Sequence, residues 1–548
     1  MLDTGFAMAV TVAIRNTGAR ASTSRRQKSK AMTDRPLHIT TTSRTRLLMT
    51  TDFIGRSHIC HHTIAIVAAM VVAAHPSLAD WPQFRGANCA GLATGPAPPT
   101  DFGPGVNELW KTPLDTGHSS PCIVGDSIFL TSYERKSKQL AVLCLSRGDG
   151  SVRWRHPVKV GKIERGHPSF NPASCTPASD GERVVAYFGS FGLLCLDLEG
   201  TKLWELKLPL TKSYSGNATS PIIANDRVIL YRANHVDHFL LAVDKKSGEQ
   251  LWKKRQRERF TGAIAGTATP IVTGDKVIVH AAQAVKAFNL DNGELLWQAH
   301  CSTTATSTPV LAGEEVIVAT WNQTGEPALV PVFPHFDQLL DKNDADGDKL
   351  ISPAELPKLM YFHRSEGTEA PQNGWPLRFS DADANKDRKI VAEEWQKLLT
   401  RTAKRRKGHV RHGLVAINVN SHGKVTGDQI RYLETRSIPE VPSPVYRNGR
   451  VYFVKNGGIL SCLDVKTGDK VFRMRTGGRG THYASPVIAG DKLFAASGEG
   501  VISVVSLSGD PRVLRTNRMP DKTYATPAIV DGTIYVRTHS ALYAFGKR

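Results

Sequence analysis

The sequence lacks the motifs by which many enzymes are recognised. It contains no Ser/His/Asp nucleophile elbow, no glycine-rich phosphate loop, no zinc-ligand spacing and no Cys-x-x-Cys-His haem motif. These absences exclude the commonest nucleophilic, nucleotide-dependent, zinc-dependent and c-type haem mechanisms. The sequence therefore assigns no catalytic residue.

Cysteine is also scarce, with eight residues in 548, and no cysteine is adjacent to another. Seven of them follow residue 79, an odd number that argues against a complete disulfide framework. Cys144, Cys195 and Cys462 each stand at a small-residue position within an apolar run. This pattern predicts small buried thiols.

Long apolar runs are missing as well. The apolar segment Thr63–Ala74 has twelve residues, too few to span a bilayer. It follows Arg56 and precedes Ser77-Leu78-Ala79, so residues 58–79 are predicted to be a signal peptide cleaved after Ala79. The alternative is a cytoplasmic tail with an uncleaved anchor. Residues 1–57 are interpreted as a disordered extension or a misassigned start, because Met49 would give a signal of ordinary length.

The sequence contains one motif that repeats eight times. A Ser-Pro or Thr-Pro, a turn with Gly or Asp, and paired apolar runs recur at steps of 39 to 56 residues, with one longer step of 135. This period and its turn residues predict units of four strands. Eight copies predict an all-β, eight-bladed β-propeller over residues 80–548. The repeated prolines are Pro121, Pro177, Pro221, Pro270, Pro309, Pro444, Pro486 and Pro527.

Within a unit, Pro270 opens the predicted inner strand, where a missing N–H need not break the ladder. Trp252 and Trp297 end their units and are expected to pack between neighbouring blades. The last copy has no outer strand, whereas Glu108-Leu109-Trp110 precedes the first inner strand. We therefore expect the N-terminal segment to complete the final blade and close the ring.

The repeated motif resembles the pyrroloquinoline-quinone-like (PQQ-like) propeller repeat. The resemblance is carried by Ala242-Val243-Asp244, Ser247-Gly248-Glu249 and Leu251-Trp252. The opening Asp80-Trp81-Pro82-Gln83-Phe84-Arg85-Gly86 is similar to the start of bacterial members of that superfamily. The resemblance covers nearly all of the chain from Asp80 onward. It implies either a scaffold similar to the assembly factor BamB or a quinoprotein dehydrogenase, because that superfamily contains both.

Between these two functions, the sequence favours the non-catalytic scaffold, exported to the periplasm or cell envelope. The quinoprotein alcohol dehydrogenases carry a vicinal disulfide against the cofactor, and this chain has no adjacent cysteines. A PQQ-dependent dehydrogenase, in which PQQ and calcium lie in the central channel, stays the alternative. Expected partners are envelope proteins or anionic cell-surface components, without nucleic acid, and no membrane span is expected after signal cleavage.

Residues 327–407 interrupt the repeat and contain two twelve-residue loops that resemble a pair of EF-hand calcium loops. Oxygen-bearing side chains at alternate positions followed by a terminal Glu are what Ca²⁺ requires. We thus expect a small α-helical insertion that binds calcium. Its predicted ligands are Asp344, Asp346, Asp348, Ser352 and Glu355 in the first loop, and Asp383, Asn385, Asp387 and Glu394 in the second.

Both loops depart from the family at position 6, where Lys349 and Arg388 replace glycine. Val391 supplies no side-chain ligand at position 9 of the second loop, which predicts that the second site is the weaker one. A capping box from Ser352 to Glu355 predicts a helix after the first loop. Ile351 and Ile390, at position 8 of each loop, are expected to pair across them.

Polar residues shortly before the inner strands could line a pocket on the propeller axis, although residues at such positions more often stabilise turns. These are His118, His167, His482, Asn171, Asn217 and Tyr483.

The formal net charge is +20, of which about +13 belongs to residues 80–548. Basic residues concentrate in two clusters, and both an anionic partner and a solvated surface would explain them. The clusters are Lys253, Lys254, Arg255, Arg257 and Arg259, and Arg401, Lys404, Arg405, Arg406, Lys407 and Arg411.

Overall fold

A computed structural model describes residues 80–258, 266–301, 303–322, 331–363, 374–407 and 412–548. The predicted signal peptide and the extension before it lie outside these residues, as do Arg259 and Arg411. The described residues form an eight-bladed β-propeller, which confirms the predicted fold class. None of the described helices has the length and apolarity needed to cross a membrane.

Each blade is a four-stranded antiparallel sheet, numbered here in the order of the inner strands. The inner strands are Cys122–Val124, Ala178–Ser179, Ile222–Ala224, Ile271–Thr273, Val310–Ala312, Val445–Arg447, Val487–Ala489 and Ala528–Val530. The second strands are Ser127–Glu134, Val184–Phe188, Arg227–Arg232, Lys276–Ala281, Glu315–Ala319, Arg450–Lys455, Lys492–Ala496 and Thr533–Arg537.

The third strands are Gln139–Ser146, Gly192–Leu196, Phe239–Asp244, Ala284–Asn289, Leu414–Asn418, Ile459–Asp464, Val501–Ser506 and Ala541–Phe545. The outer strands of blades 1 to 7 are Val152–Val158, Lys202–Lys207, Gln250–Arg255, Leu295–His300, Ile430–Glu434, Lys470–Arg475 and Arg512–Arg518. The outer strand of blade 8 is Glu108–Pro113, which pairs with Ala541–Phe545. The N-terminal segment thus closes the ring, as predicted.

Apart from the insertion, two short strands and two 3₁₀ turns of the described residues lie outside this pattern. Leu92–Ala93 pairs in parallel with the inner strand of blade 7, and Gly423–Val425 pairs in parallel with the outer strand of blade 4. The 3₁₀ turns are Ala87–Cys89 and Gly427–Gln429.

Blade 5 carries the insertion between its second and third strands. Its helices are α1 (Phe336–Asn343), α2 (Phe379–Ala382) and α3 (Ala392–Lys407), and a hairpin joins Met360–His363 to Gly374–Pro376. The helix predicted after the first loop is only a turn, in which the amide of Leu356 donates to the Ser352 carbonyl. Pro357 explains the difference, because the residue before a proline is driven out of the helical region.

The tryptophan on the outer strand of a blade forms a hydrogen bond to the next blade. Trp204 in blade 2 donates its indole N–H to the carbonyl of Lys245 in blade 3, at 2.9 Å. Gly248 lies against the same ring, where a Cβ would approach within 2.6 Å, so only glycine fits there. Trp110, Trp154, Trp252 and Trp297 make the same kind of bond to a carbonyl of the following blade.

Blades 5 to 7 replace this tryptophan. Arg431 takes the equivalent register in blade 5 and donates to the carbonyl of Val465 in blade 6, at 2.9 Å. Arg431 also forms an ion pair with Glu315, at 2.6 Å. Phe472 and Arg515 hold the equivalent positions in blades 6 and 7. The register of the outer strand is therefore kept even where the side chain differs.

At the axis, the Ser or Thr before each repeated proline forms a hydrogen-bonded chain that we call the hydroxyl ring. The amide of Ser120 donates to the Thr176 hydroxyl at 2.9 Å, and the amide of Thr176 donates to the Ser220 hydroxyl at 3.0 Å. The same bond continues through Thr269, Thr308, Ser443, Ser485 and Thr526. All eight side chains are at most 3 % exposed. The ring therefore ties successive inner strands together where they begin.

The seven cysteines of the described residues are all buried free thiols, which confirms the interpretation of Cys144, Cys195 and Cys462. Each of these three lies in a third strand and packs within a blade core.

Replacing Thr176 with valine should test the hydroxyl ring. Valine keeps the shape but removes the acceptor of the Ser120 amide, and an unpaired buried N–H costs about 1–3 kcal/mol of unfolding free energy. Thr176→Ser keeps the acceptor and is the matched control. Urea denaturation should show the valine variant to be the less stable of the two. Equal stability would mean that this bond contributes nothing to the ring.

Candidate functional site

The segment Trp81–Gly91 crosses the propeller axis. Trp81 exchanges two backbone hydrogen bonds with Ile123 of blade 1, at 2.7 and 2.8 Å. The Asn88 side chain accepts from the amide of Val272 in blade 4, at 3.2 Å, and Arg85 donates to the carbonyl of Pro444, at 2.5 Å. Because the segment reaches blades on different sides of the axis, it closes the channel, and Phe84 lines the space that remains.

That space is a cavity of about 270 Å³ on the propeller axis. Its described lining consists mainly of hydroxyl-bearing and aromatic side chains, with Glu440 as the one carboxylate and without lysine or arginine. Five hydroxyls come from the hydroxyl ring, namely Ser120, Thr308, Ser443, Ser485 and Thr526. The indole and phenol rings are those of Tyr214, Trp321, Trp375, Tyr483 and Tyr524.

On one wall, His118 packs edge-on against Tyr524 with ring centroids 4.9 Å apart, and Tyr524 packs edge-on against Tyr483 at 5.1 Å. Burial lowers the pKa of His118 to about 3, helped by the nearby Arg537 guanidinium. His118 is therefore a neutral imidazole at pH 7. On another wall, His167 accompanies Tyr214, with ring centroids 5.5 Å apart.

Of the pocket candidates named from the sequence, His118, His167 and Tyr483 line the cavity. The other three do not and contact neighbouring groups of the fold instead. Asn171 accepts from the amide of Ala173 at 2.8 Å, Asn217 donates to the Cys175 sulfur at 3.0 Å, and the ring of His482 lies 3.3 Å from the Gly480 carbonyl. The residue before a turn cannot be distinguished from a pocket residue by position alone.

Sequence reasoning missed the cavity's two tryptophans. Trp321 lies just after the second strand of blade 5, and Trp375 lies in the hairpin of the insertion. Neither position belongs to the repeat, so periodicity gave no signal for them. The hydroxyls did have a signal, because each stands before a repeated proline, but the pattern was interpreted only as a strand start.

The insertion has its own small core, which connects the hairpin to the two loops. Ile351 and Ile390 are fully buried and exchange backbone hydrogen bonds at 3.1 and 2.9 Å, so the two loops pair as predicted. Leu377, two residues after Trp375, packs in the same core. Tyr361 packs against both this core and the core of blades 5 and 6.

In the first loop, the carboxylates of Asp344, Asp346 and Asp348 lie within 4.8 Å of one another. Asp344 also accepts from the amides of Gly347 and Lys349, at 2.8 and 3.0 Å. Glu355 accepts from the amide of Ser352 at 2.8 Å, and this bond lowers its pKa. Four carboxylates thus surround one loop.

The second loop repeats this arrangement with fewer charges. Asp383 accepts from the amide of Lys386 at 2.7 Å, and Glu394 accepts from the amide of Ala384 at 2.9 Å. The Asn385 amide group donates to Asp387 at 2.9 Å. The two aspartates, the asparagine and Glu394 therefore share one loop, as the sequence spacing predicts.

Positive charges stand beside both loops. Lys349 and Arg388 adopt φ of 62° and 68°, so the residues that replace glycine do take the left-handed conformation. Lys389 of the second loop forms an ion pair with Asp348 of the first, at 2.6 Å. This pair lowers the pKa of Asp348 and occupies one of its oxygens.

The two basic clusters have different surroundings. Lys253, Lys254 and Arg255 lie on the outer strand of blade 3, where the Lys253 ammonium sits 4.0 Å from the centre of the Phe239 ring. Arg401 on α3 donates to the Tyr361 hydroxyl at 2.9 Å and to the Asp381 carbonyl at 2.7 Å. Part of each cluster therefore serves local structure.

A family profile described as outer membrane protein assembly factor BamB matches residues 141–330 and 416–548. BamB from Moraxella catarrhalis is similar in structure, with 11 % identity, coverage of 79 % of this chain and 99 % of that one, and a TM-score of 0.47. A europium-containing methanol dehydrogenase shows 10 % identity, 85 % and 98 % coverage, and a TM-score of 0.51. No curated protein matches the chain.

A quinohemoprotein alcohol dehydrogenase from Pseudomonas putida shows 12 % identity, 86 % and 81 % coverage, and a TM-score of 0.48. At these identities the likeness concerns the fold alone.

Glu164 should make the stability of the protein depend on pH. Its carboxyl group is 4 % exposed, accepts a hydrogen bond from Thr211, and has a pKa that burial raises to about 8. Between its unfolded pKa near 4.5 and about 8, the folded state holds a proton that the unfolded state has lost. The unfolding free energy should therefore fall as pH rises through this window, by up to about 1.4 kcal/mol per unit.

The Glu164→Gln variant keeps a neutral group of the same shape and should be the less pH-sensitive protein. Urea denaturation at pH 6 and pH 8 measures the difference. If the variant and the wild type lose stability equally between these values, Glu164 is not the group responsible.

Proposed function

The chain belongs to the BamB family of PQQ-like β-propellers, and we propose that it acts as a non-catalytic, calcium-binding interaction scaffold in the cell envelope. One observation carries this proposal, namely where the carboxylates are. Three of them cluster within 4.8 Å in the first loop of the insertion, whereas the described lining of the axial cavity has only Glu440. The oxygen ligands that a hard cation such as Ca²⁺ prefers are therefore concentrated in the insertion.

For calcium, the first loop offers Asp344, Asp346, Asp348, Ser352 and Glu355, and the second offers Asp383, Asn385, Asp387 and Glu394. Ca²⁺ takes six to eight oxygen ligands. The backbone pairing of Ile351 with Ile390 joins the two loops, so occupancy of one should order the other. Since the insertion has a small core, calcium would stabilise it by binding only the folded form.

The first site should be the stronger one. It has four carboxylates and a serine at position 9, whereas the second loop has Asn385 at position 3 and Val391 at position 9. Against this, Lys389 must release Asp348 before that oxygen can bind an ion. Lys349 and Arg388 also place a positive side chain beside each loop, which lowers the affinity of both loops for a cation.

PQQ-dependent dehydrogenation is the second function found on this fold, and the described cavity lining does not fit it. PQQ carries three carboxyl groups, and the lining has neither lysine nor arginine to pair with them. One carboxylate is also too few for the calcium ion that accompanies PQQ in that family. The seven described cysteines are free and non-adjacent, so no vicinal disulfide is available to contact the cofactor.

The proposed partners are proteins of the envelope, since the family description names outer membrane protein assembly. Anionic cell-surface components are the second partner class, because residues 80–548 carry about +13. The proposed location depends on the signal peptide of residues 58–79. If the protein is exported, the envelope fraction should contain a chain whose N-terminal residue is Asp80, as read by mass spectrometry. A protein that retains residues 58–79 would contradict cleavage after Ala79.

Calorimetric titration of calcium into the chelator-stripped full chain tests the metal proposal. We expect two binding events, of which Glu355→Gln removes the stronger and Glu394→Gln the weaker, because each loses its terminal carboxylate ligand. The double variant should give no calcium heat. Asp341→Asn is the matched control, since Asp341 is an exposed carboxylate on α1 outside the loop, and it should bind as the wild type does.

The same sample then distinguishes the two functions. PQQ added to the calcium-loaded protein should give no saturable heat. Calcium heat that survives the double variant, or saturable PQQ binding, would place a ligand in the axial cavity and contradict the scaffold proposal.

A further inference from the structure

We propose that the axial cavity binds a neutral saccharide of one or two rings. This inference goes beyond the scaffold role and does not depend on calcium binding. It rests on the chemistry of the cavity wall, which combines aromatic faces with hydroxyl groups and excludes strong positive charge among the described residues.

Charge is the first argument. The described lining has no lysine, arginine or aspartate, and its one carboxylate, Glu440, also accepts from the Asn456 amide at 3.2 Å. His118 is neutral at pH 7 because burial lowers its pKa to about 3. An anionic ligand would find no partner there, and a multiply charged cation would find only one carboxylate.

The aromatic side chains supply the second argument. Trp375 and Tyr214 both line the cavity and are each 50 % exposed, so the protein leaves about half of each side chain uncovered. They come from separate elements, the insertion hairpin and the segment after the outer strand of blade 2. The face of an aromatic ring carries partial negative charge, whereas the axial C–H bonds of a pyranose carry weak positive charge. Sugar rings therefore stack on aromatic faces.

The polar groups supply the third argument. Thr308, Ser443, Ser485 and Thr526 accept backbone N–H groups in the hydroxyl ring, and each keeps its own proton to donate. Thr304 and Thr306 add two further hydroxyl groups to the same lining. A saccharide, whose hydroxyl groups both donate and accept, would pair with these groups.

Size and selectivity agree with this assignment. About 270 Å³ lies at the small end of ligand pockets, which suits one or two sugar rings and excludes a folded partner. An apolar peptide side chain would pack against the aromatic rings but leave the hydroxyl groups of the lining unpaired. A saccharide satisfies both, since each of its carbons presents a C–H bond and most carry a hydroxyl.

The test is calorimetric titration of the full chain with cellobiose, maltose and diacetylchitobiose, together with saturation-transfer NMR to identify the contacting sugar protons. We expect at least one of these disaccharides to bind saturably and to show contacts at ring C–H groups. Trp375→Ala should weaken binding by between about twofold and tenfold through loss of one ring face. Tyr214→Ala should weaken it by a similar factor, because it removes the second exposed aromatic side chain of the lining.

Leu251→Ala is the matched control, because Leu251 is a large apolar residue, 45 % exposed, on the outer strand of blade 3. It should leave binding unchanged. Thermal melts establish that all variants fold, and Trp375 is exposed enough for its loss to be tolerated. Absence of saturable binding for all three disaccharides would overturn the proposal. So would binding that both the Trp375→Ala and the Tyr214→Ala variants leave intact, or stronger binding of N-acetylphenylalanine amide or of digalacturonate than of any neutral disaccharide.

Discussion

The structure depends on the seven bonds that tie successive inner strands together at the axis, from blade 1 to blade 8. A proline immediately precedes every inner strand, so the last amide available before it belongs to the preceding Ser or Thr. That amide donates to the hydroxyl of the neighbouring blade, as Thr176 does to Ser220. One dipeptide thereby starts the strand and joins it to its neighbour. Because a hydroxyl is both acceptor and donor, the groups that hold the blades together also line the cavity.

The outer edge of the ring uses a different bond for the same purpose. There the indole of Trp204 reaches a carbonyl of the following blade, and Gly248 leaves room for the ring. A shift in the pairing of the third and outer strands recurs in blade after blade and presents this position toward the neighbour. Arg431 can replace tryptophan because a guanidinium also donates N–H groups to a carbonyl. The position of this contact is thus more constant among the blades than the type of residue that makes it.

Much of this architecture could be predicted from the sequence. The period, the prolines and the tryptophans predict eight blades, and the missing last strand predicts closure by Glu108–Pro113. The cavity could not be predicted in the same way. Trp321 and Trp375 lie where the repeat is interrupted, and a pattern has no information about residues outside it. His118 and His482 stand at similar distances before their prolines, yet only His118 lines the cavity. Loop conformation decides between them.

Closure of the ring pairs a strand made early on the ribosome with one made late. Glu108–Pro113 emerges before any inner strand, whereas its partner, Ala541–Phe545, emerges after seven blades have been synthesised. Until then the early strand is an unpaired edge, and unpaired edges invite pairing with other chains. The long sequence separation also makes this contact slow to form. A chain that has folded its blades without this last pairing is therefore an open arc, the state in which a chaperone would protect it.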